Sequence, residues 1–426
     1  MRIVDIRATT VTLPFRFSFR HSLAARSQSQ NVIVRATVAG TRGERAIGFG
    51  ESVPREYVTG ESVETAVATI KQEYVPRLLD RRLSDWLSPF EAACLRLREI
   101  FQELNLDRAR KGASFCALEL AIFDAVLKLE GTALSDALAK RTGRARHKEI
   151  VYGGVVPFGN ERALKLVLYL YRLAGFKTVK LKVGGAVEED LEKVRLAREI
   201  LGKRVTLRVD ANCAWSVDDT LSFCKMARPY GVASIEQPVP KEDFRGLKEI
   251  SERTEEEIVA DESLCTIEDA RRLAEGRVCR GFNIRLSKVG GILPALAIAE
   301  IARANGINCH LGAQVGESGI LTAAGRAFAA AQPPFANYEG AANLFLLRKD
   351  LVSENLTHGI GGRAQVSLRP GIGVTVMEER IGELAGELAR EVKSELAGID
   401  EAGIGRLIRP AMPDAGKETI KRGAHA

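Results

Sequence analysis

Five charged residues near the ends of four short, β-branched runs carry the chemistry this sequence can do. The runs are VKLKVG (179–184), TLRVDAN (206–212), ASIEQP (233–238) and IVADES (258–263), and the residues are Lys180, Lys182, Asp210, Glu236 and Asp261. From Lys182 to the three acids in turn, the intervals are 28, 26 and 25 residues. One strand, one helix and two short loops need about that much chain, so the spacing predicts a βα repeat. Parallel strands built this way present their C-terminal ends on one rim, which gathers the five residues around a single pocket. A lone acid at a strand end usually caps a helix or pairs on the surface; three in phase point to a site. Three carboxylates suit Mg²⁺, with Mn²⁺ as a substitute, better than Zn²⁺, which favours His or Cys.

Lys180 and Lys182 lie on the same face of their strand. Two ammonium groups this close are expected to lower each other's pKa, as a base working near neutral pH requires. Beside a metal that grips a carboxylate, such an amine can remove the α proton while the surrounding cations stabilise the enediolate. Asn212 faces the same way as Asp210, and Gln237 and Glu262 adjoin the acids as supports. Glu317 follows the seventh candidate strand, where it would either orient a catalytic group or sit on a surface loop.

These residues need elements to hold them. Residues 3–13, 32–38 and 46–51 read as a β meander, and 62–79, 88–106 and 114–130 carry helical periodicity. This strand-then-helix block predicts an α+β capping domain over 1–140. The βα repeat accounts for 150–345, with eight candidate strands that begin at 151–157 and end at 336–339. A C-terminal segment, 346–426, returns to the cap through a Gly-rich stretch and an amphipathic run over 378–396, with a polar end. The predicted fold class is α/β, a modified (β/α)₇β TIM barrel with an N-terminal cap.

Of 426 residues, 46% are hydrophobic and 27% charged, and the net charge of +7 is dispersed along the chain. No basic stripe with interleaved aromatics suggests nucleic acid. Seven scattered cysteines without a Cys-x-x-Cys pair read as free thiols. Without a signal-like start or a bilayer-length apolar run, the expected compartment is cytoplasmic, with no membrane partner.

The combined motifs resemble the enolase superfamily in its muconate-lactonizing subgroup. The resemblance rests on Lys180-x-Lys182, Asp210-Ala-Asn212-x-Ala-Trp215, Glu236-Gln237-Pro238, Asp261-Glu262-Ser263 and the run from Asn283 to Gly291. Gly50-Glu51, Thr59-Gly60-Glu61 and Glu317-Ser-Gly-Ile320 extend it over most of 1–375. It implies Mg²⁺ on Asp210, Glu236 and Asp261, a small carboxylate substrate, and cap loops near 16–30 and 51–60 that shape substrate choice. Symmetric assemblies are common in the family, so a homo-oligomer is compatible.

One departure is informative. The subgroup places a second catalytic Lys on the sixth strand, and here that position is Arg285. Lys288, three residues on, should point away from Arg285's face if the strand continues. A guanidinium stays protonated and donates rather than accepts. The reading is therefore one-base chemistry by Lys182, tuned by Lys180, with Arg285 stabilising negative charge in a cycloisomerisation or syn-elimination. The alternatives are an amino-acid or dipeptide epimerase of the same family and a non-catalytic barrel that binds metal or carboxylates. The eighth strand lacks the Asp-x-Asp with which the subgroup's dipeptide epimerases hold an ammonium group. Arg20 and His21 in the capping loop are weaker candidates for meeting a distal anion.

Overall fold

A computed structural model describes residues 1–21, 24–79, 83 and 87–385, with the backbone alone at 19–21, 24 and 25. Three antiparallel strands open the chain: β1 (Arg2–His21), β2 (Ala24–Ala39) and β3 (Arg45–Ser52). Helices follow, among them α1 (Val63–Thr69), α2 (Pro89–Glu103) and α3 (Gly112–Glu130), and every residue of α3 from Ala113 to Leu127 is buried. Strand β3 lies directly on the α3 backbone, because a Cβ at Gly50 would stand 2.0 Å from the Ala117 carbonyl oxygen. Only glycine permits that approach.

Eight strands in sequential order then form one parallel sheet. They alternate with seven helices as β4 (Gly154–Val156), α4 (Glu161–Leu173), β5 (Thr178–Lys182), α5 (Val187–Leu201), β6 (Thr206–Asp210), α6 (Val217–Ala227), β7 (Val232–Glu236) and α7 (Phe244–Arg253). The series continues with β8 (Glu257–Ala260), α8 (Ile267–Glu275), β9 (Gly281–Ile284), α9 (Ile292–Ala304), β10 (Asn308–Leu311), α10 (Gly319–Ala330) and β11 (Asn337–Tyr338). Gly153 N donates to the Tyr338 carbonyl at 2.8 Å and closes the ring between the first and last strands. The fold is the predicted (β/α)₇β barrel with an N-terminal cap. The strands end earlier than the sequence runs suggest, so Asp261 lies one residue beyond β8. The chain is helical again over 378–385; the rest of the predicted amphipathic run and the polar end lie outside the described residues.

Alternation along the strands sorts side chains into two sets. Val179, Leu181, Leu207, Val209 and Ile235 pack outward against the helices, fully buried. Lys180, Lys182, Arg208, Asp210, Ser234 and Glu236 are the intervening residues and face the barrel axis. The apolar core that holds the barrel and the charges that fill it are thus written on alternate positions of the same strands.

Acids from the first 130 residues clasp three consecutive barrel helices at their N-termini. The Asp107 carboxylate accepts from Ile267 N (2.7 Å) and Glu268 N (2.8 Å) of α8. Glu119 accepts from Ile292 N and from Leu293 N (2.9 Å) of α9. Glu51 accepts from Ser318 N (2.9 Å), Ser318 Oγ (2.6 Å) and Leu321 N (3.1 Å) at α10. These groups satisfy backbone donors that no intrahelical partner can reach. Burial raises the Glu119 carboxyl from 4.5 to about 8 and that of Glu51 to about 7. The folded state therefore keeps protons that the unfolded chain has already released, and stability declines as pH rises from about 4.5 to about 8. Glu119→Gln is expected to flatten this decline. Urea midpoints at pH 5 and pH 8.5 provide the check, and an equally steep decline in the variant would refute the assignment.

Candidate active site

Lys182, Asp210 and Glu236 are register partners across β5, β6 and β7, side by side at the barrel mouth. Lys182 Nζ donates to Asp210 Oδ2 at 2.5 Å and to Asn212 Oδ1 at 2.8 Å. One layer deeper, Lys180 Nζ lies 3.0 and 3.1 Å from the Glu236 oxygens, 2.5 Å from Glu339 Oε2 and 3.4 Å from Asp210 Oδ2. Burial opposes charge on Lys180, yet Glu236, Glu339 and Asp210 hold its pKa above the usual lysine value. This differs from the expectation that the paired lysines lower each other's pKa: the carboxylates of Glu236, Glu339 and Asp210 favour the charged form of Lys180.

Glu236 is the centre of this cluster. Besides Lys180, it accepts from Arg208 Nη2 (3.2 Å) and Asn283 Nδ2 (2.8 Å). Arg208 in turn donates to Glu339 Oε1 (2.6 Å) and Ser234 Oγ (2.9 Å). Burial would raise the Glu236 carboxyl, but Lys180, Arg208, Arg285 and Lys182 together hold it well below the carboxylate range. The sequence reading passed over Arg208 and saw at Glu339 only a missing motif. Arg208 is two residues before Asp210, so the same face rule could have found it.

Asp261 closes the other side. Arg285 Nη2 donates to its Oδ2 and lies 3.6 Å from Glu236 Oε1, while Arg285 Nη1 donates to Gln314 Oε1 at 3.0 Å. Close packing supports the guanidinium arm: a Cβ at Gly312 would meet Arg285 Cγ at 2.8 Å and Asn283 Oδ1 at 2.2 Å. Lys288 does not point away from Arg285's side, since both reach the Asp261 carboxylate. Strand β9 stops at Ile284 and a helical turn over 286–289 follows, which turns Lys288 Nζ to Asp261 Oδ1 (2.7 Å), the Asp261 carbonyl (2.5 Å) and the Asn283 carbonyl (3.0 Å). Burial lowers its pKa to about 8.

The supporting residues act through the loops. Gln237 has φ +37° just after β7, a conformation that costs a side-chain-bearing residue energy. Its Oε1 accepts from Asp261 N (3.0 Å) and Ser263 N (3.1 Å), and its Nε2 donates to Ser263 Oγ (2.8 Å), so it fixes the turn that carries Asp261. Asn212, at φ +45°, donates from Nδ2 to Glu262 Oε1 at 3.0 Å. Glu317 accepts from Gln314 N at 2.6 Å, and burial pushes its carboxyl up to about 8. It is tied to Gln314, which also holds Arg285, and does not line the pocket.

That pocket lies between barrel and cap. Lys182, Asn212, Glu262, Arg285, Gln314 and Val315 form its barrel wall, and Arg26, Arg55, Tyr57 and Val58 form its cap wall. Glu262 Oε2, Arg285 Nε and Gln314 Nε2 are buried without a hydrogen-bond partner, which suits a ligand site. The side chains of Arg20 and His21 lie outside the described residues; Arg26 and Arg55 are the cap cations seen here.

The acids have the chemistry to hold a hard divalent ion: three fully buried carboxylates on adjacent strand ends, with all donors oxygen. Asp210 and Glu236 converge on Lys180, and Glu236 and Asp261 converge on Arg285. Among the described residues, no three His, Cys, Asp or Glu side chains form a ready cage. Lys182 and Arg285 lie on the acid oxygens, so ligation requires these cations to move off them.

The family model described as "Enolase C-terminal domain-like" matches residues 163–380. The chain belongs to this family. It is an enzyme of the enolase superfamily, in the branch that contains the muconate-lactonizing enzymes, and its chemistry is α-proton abstraction. The L-Ala-D/L-Glu epimerase of Bacillus subtilis is 29% identical over 88% of this chain and 97% of its own length. The chloromuconate cycloisomerase of Cupriavidus necator is 30% identical over 76% of this chain and 83% of its own. The solved dipeptide epimerase of Cytophaga hutchinsonii, complexed with Mg and the dipeptide D-Ala-L-Val, superposes with a TM-score of 0.78 at 26% identity, covering 90% of this chain and 98% of that one. These enzyme relatives set aside the non-catalytic barrel.

Glu236→Gln would leave Lys180 and Arg208 buried with one charge partner fewer. We expect a loss of about 3–5 kcal/mol in urea unfolding. A loss below about 1 kcal/mol would show that Glu236 is not the centre of the cluster.

Proposed function

We propose that this enzyme removes the α proton of a small carboxylate substrate with Lys182 as its single acid–base group. It then completes a cycloisomerisation or syn-elimination. The position of Arg285 carries this reading. Strands β5 and β9 are four apart in a ring of eight, so Lys182 and Arg285 line opposite walls of one pocket. One wall offers an amine that can exchange a proton; the other offers a guanidinium that cannot accept one.

Asp210, Glu236 and Asp261 would hold Mg²⁺, or Mn²⁺ in its place, and the bound ion supplies Lewis-acid stabilisation of negative charge on the substrate carboxylate. Lys182 takes the α proton, and the bond from the β carbon to its oxygen substituent breaks as the enediolate collapses. Lys182, as acid, delivers the proton to that departing oxygen on the same face: a separate group in an elimination, an arm of the same molecule in a cycloisomerisation run towards ring opening. Arg285 donates hydrogen bonds to the developing oxyanion, and Gln314 fixes its orientation. Lys180 stays charged and keeps Glu236 ionised. Tyr57 and Val58 of the cap shield the reacting face from water.

Epimerisation is the second reading, favoured by relatives named as epimerases. It needs a proton acceptor that faces the substrate on the Arg285 wall, and Lys288 instead donates to Asp261 Oδ1 and to the Asp261 and Asn283 carbonyls and does not line the pocket.

The test is to incubate carboxylic acids with the purified enzyme and Mg²⁺ in D₂O and read α-deuteration by mass. Exchange should proceed on one face only, fall by roughly 10²–10⁴-fold in Lys182→Ala, and vanish with EDTA until Mg²⁺ is restored. Rapid scrambling of an α-stereocentre by the parent would overturn the one-base assignment. Arg285→Lys places a titratable amine on the second wall and is expected to gain exchange on the other face.

A further inference from the structure

Gln314 follows β10 and is pinned from two sides. Its backbone N–H donates to Glu317 Oε1 at 2.6 Å, and its side-chain Oε1 accepts from Arg285 Nη1 at 3.0 Å. A guanidinium only donates, so the amide oxygen must be the atom that faces Arg285, and the amide nitrogen is left for another partner. Gln314 lines the pocket and is 5% exposed, yet among the described residues its Nε2 has no hydrogen-bond partner. Arg285 Nε, on the same wall, is buried in the same condition. A buried donor left unpaired is costly, so each such group calls for an explanation, and a ligand supplies one here.

The position of Gln314 says which part of a ligand it would meet. Arg285 reaches Asp261 and Glu236 at the reacting end. The next residue along, Val315, accepts at its carbonyl from Arg55 Nη2 of the cap at 3.3 Å. Gln314 therefore lies on the barrel wall between the acids and the cap.

We infer that Gln314 is a specificity-determining residue whose Nε2 donates to an uncharged carbonyl oxygen that the substrate carries beyond its α carbon, on the side of the cap. The inference rests on the reading of this pocket as the substrate site. An uncharged acceptor is the complement of a neutral amide. The charge of Arg285 is already matched by Asp261, and the cations placed for a distal anion are Arg26 and Arg55. A plain alkyl chain at this height leaves the amide donor unpaired, and acids that lack the carbonyl bind less well.

Calorimetric titration of the full chain with Mg²⁺ present tests this without turnover, so its failure is separate from failure of the one-base reading, which α-deuteration decides. The probes are straight-chain carboxylic acids, each matched with the oxo acid and the dicarboxylic acid of the same length. At the best-fitting length the parent should bind the oxo acid roughly 10- to 100-fold more tightly than the plain acid. Gln314→Glu keeps an oxygen on Arg285 but loses the N–H donor, and Gln314→Met removes the amide without adding charge. Both should bring the ratio to unity or below. The two probes present the same carboxylate to Arg285, so a mere loss of its orientation weakens both alike and leaves the ratio at the parental value. Variants that keep the parental ratio, a parent without the preference, or a preference confined to the dicarboxylic acid would each overturn the inference.

Discussion

Charge inside a closed parallel barrel must be balanced inside it, and that constraint organises this molecule. Strand alternation sends every second residue towards the axis, where water cannot solvate it. Lys180, Arg208, Glu236 and Glu339 answer with a closed circuit in which each cation touches both acids. Unpaired, any one of them would cost several kcal/mol. Paired, they form a rigid floor on which Lys182 and Asp210 stand. Lys182 is thus placed by charges one layer beneath it.

The other half of the site is held differently. Helices α8, α9 and α10 follow the strands whose ends lead to Asp261, Arg285 and Gln314, and they are the helices clasped by Asp107, Glu119 and Glu51. The cap therefore does more than wall the pocket with Arg26, Arg55, Tyr57 and Val58. It also anchors the segments that present the guanidinium wall. The Lys182 side is fixed from within the barrel and the Arg285 side also from the cap.

Much of this was legible in the chain because two periodicities are simple. The 25- to 28-residue interval gave the βα repeat, and the positions of Asp210 and Glu236 at strand ends gave the rim. The failures have physical causes. The raised pKa of Lys180 comes from Glu236 and then from Glu339, the latter 159 residues away in a pairing that only barrel closure creates. Lys288 was misdirected because an unbroken strand was assumed where a helical turn begins at Leu286. The clasps of Glu119 and Asp107 have no local signature at all: an acid that caps a distant helix looks like any other acid on its own element.

Charge also distinguishes the cations at the mouth. Five barrel cations (Lys180, Lys182, Arg208, Arg285 and Lys288) face five acids (Asp210, Glu236, Asp261, Glu262 and Glu339), and Arg26 and Arg55 of the cap add two more positive charges to the pocket wall. The surplus is positive, which suits an anionic ligand. The arginines do not accept protons, Glu236, Glu339 and Asp210 favour the charged form of Lys180, and neither Lys180 nor Lys288 lines the pocket. Lys182 is the amine that does, so the barrel separates one amine that faces the ligand space from two that serve the charge network beneath it.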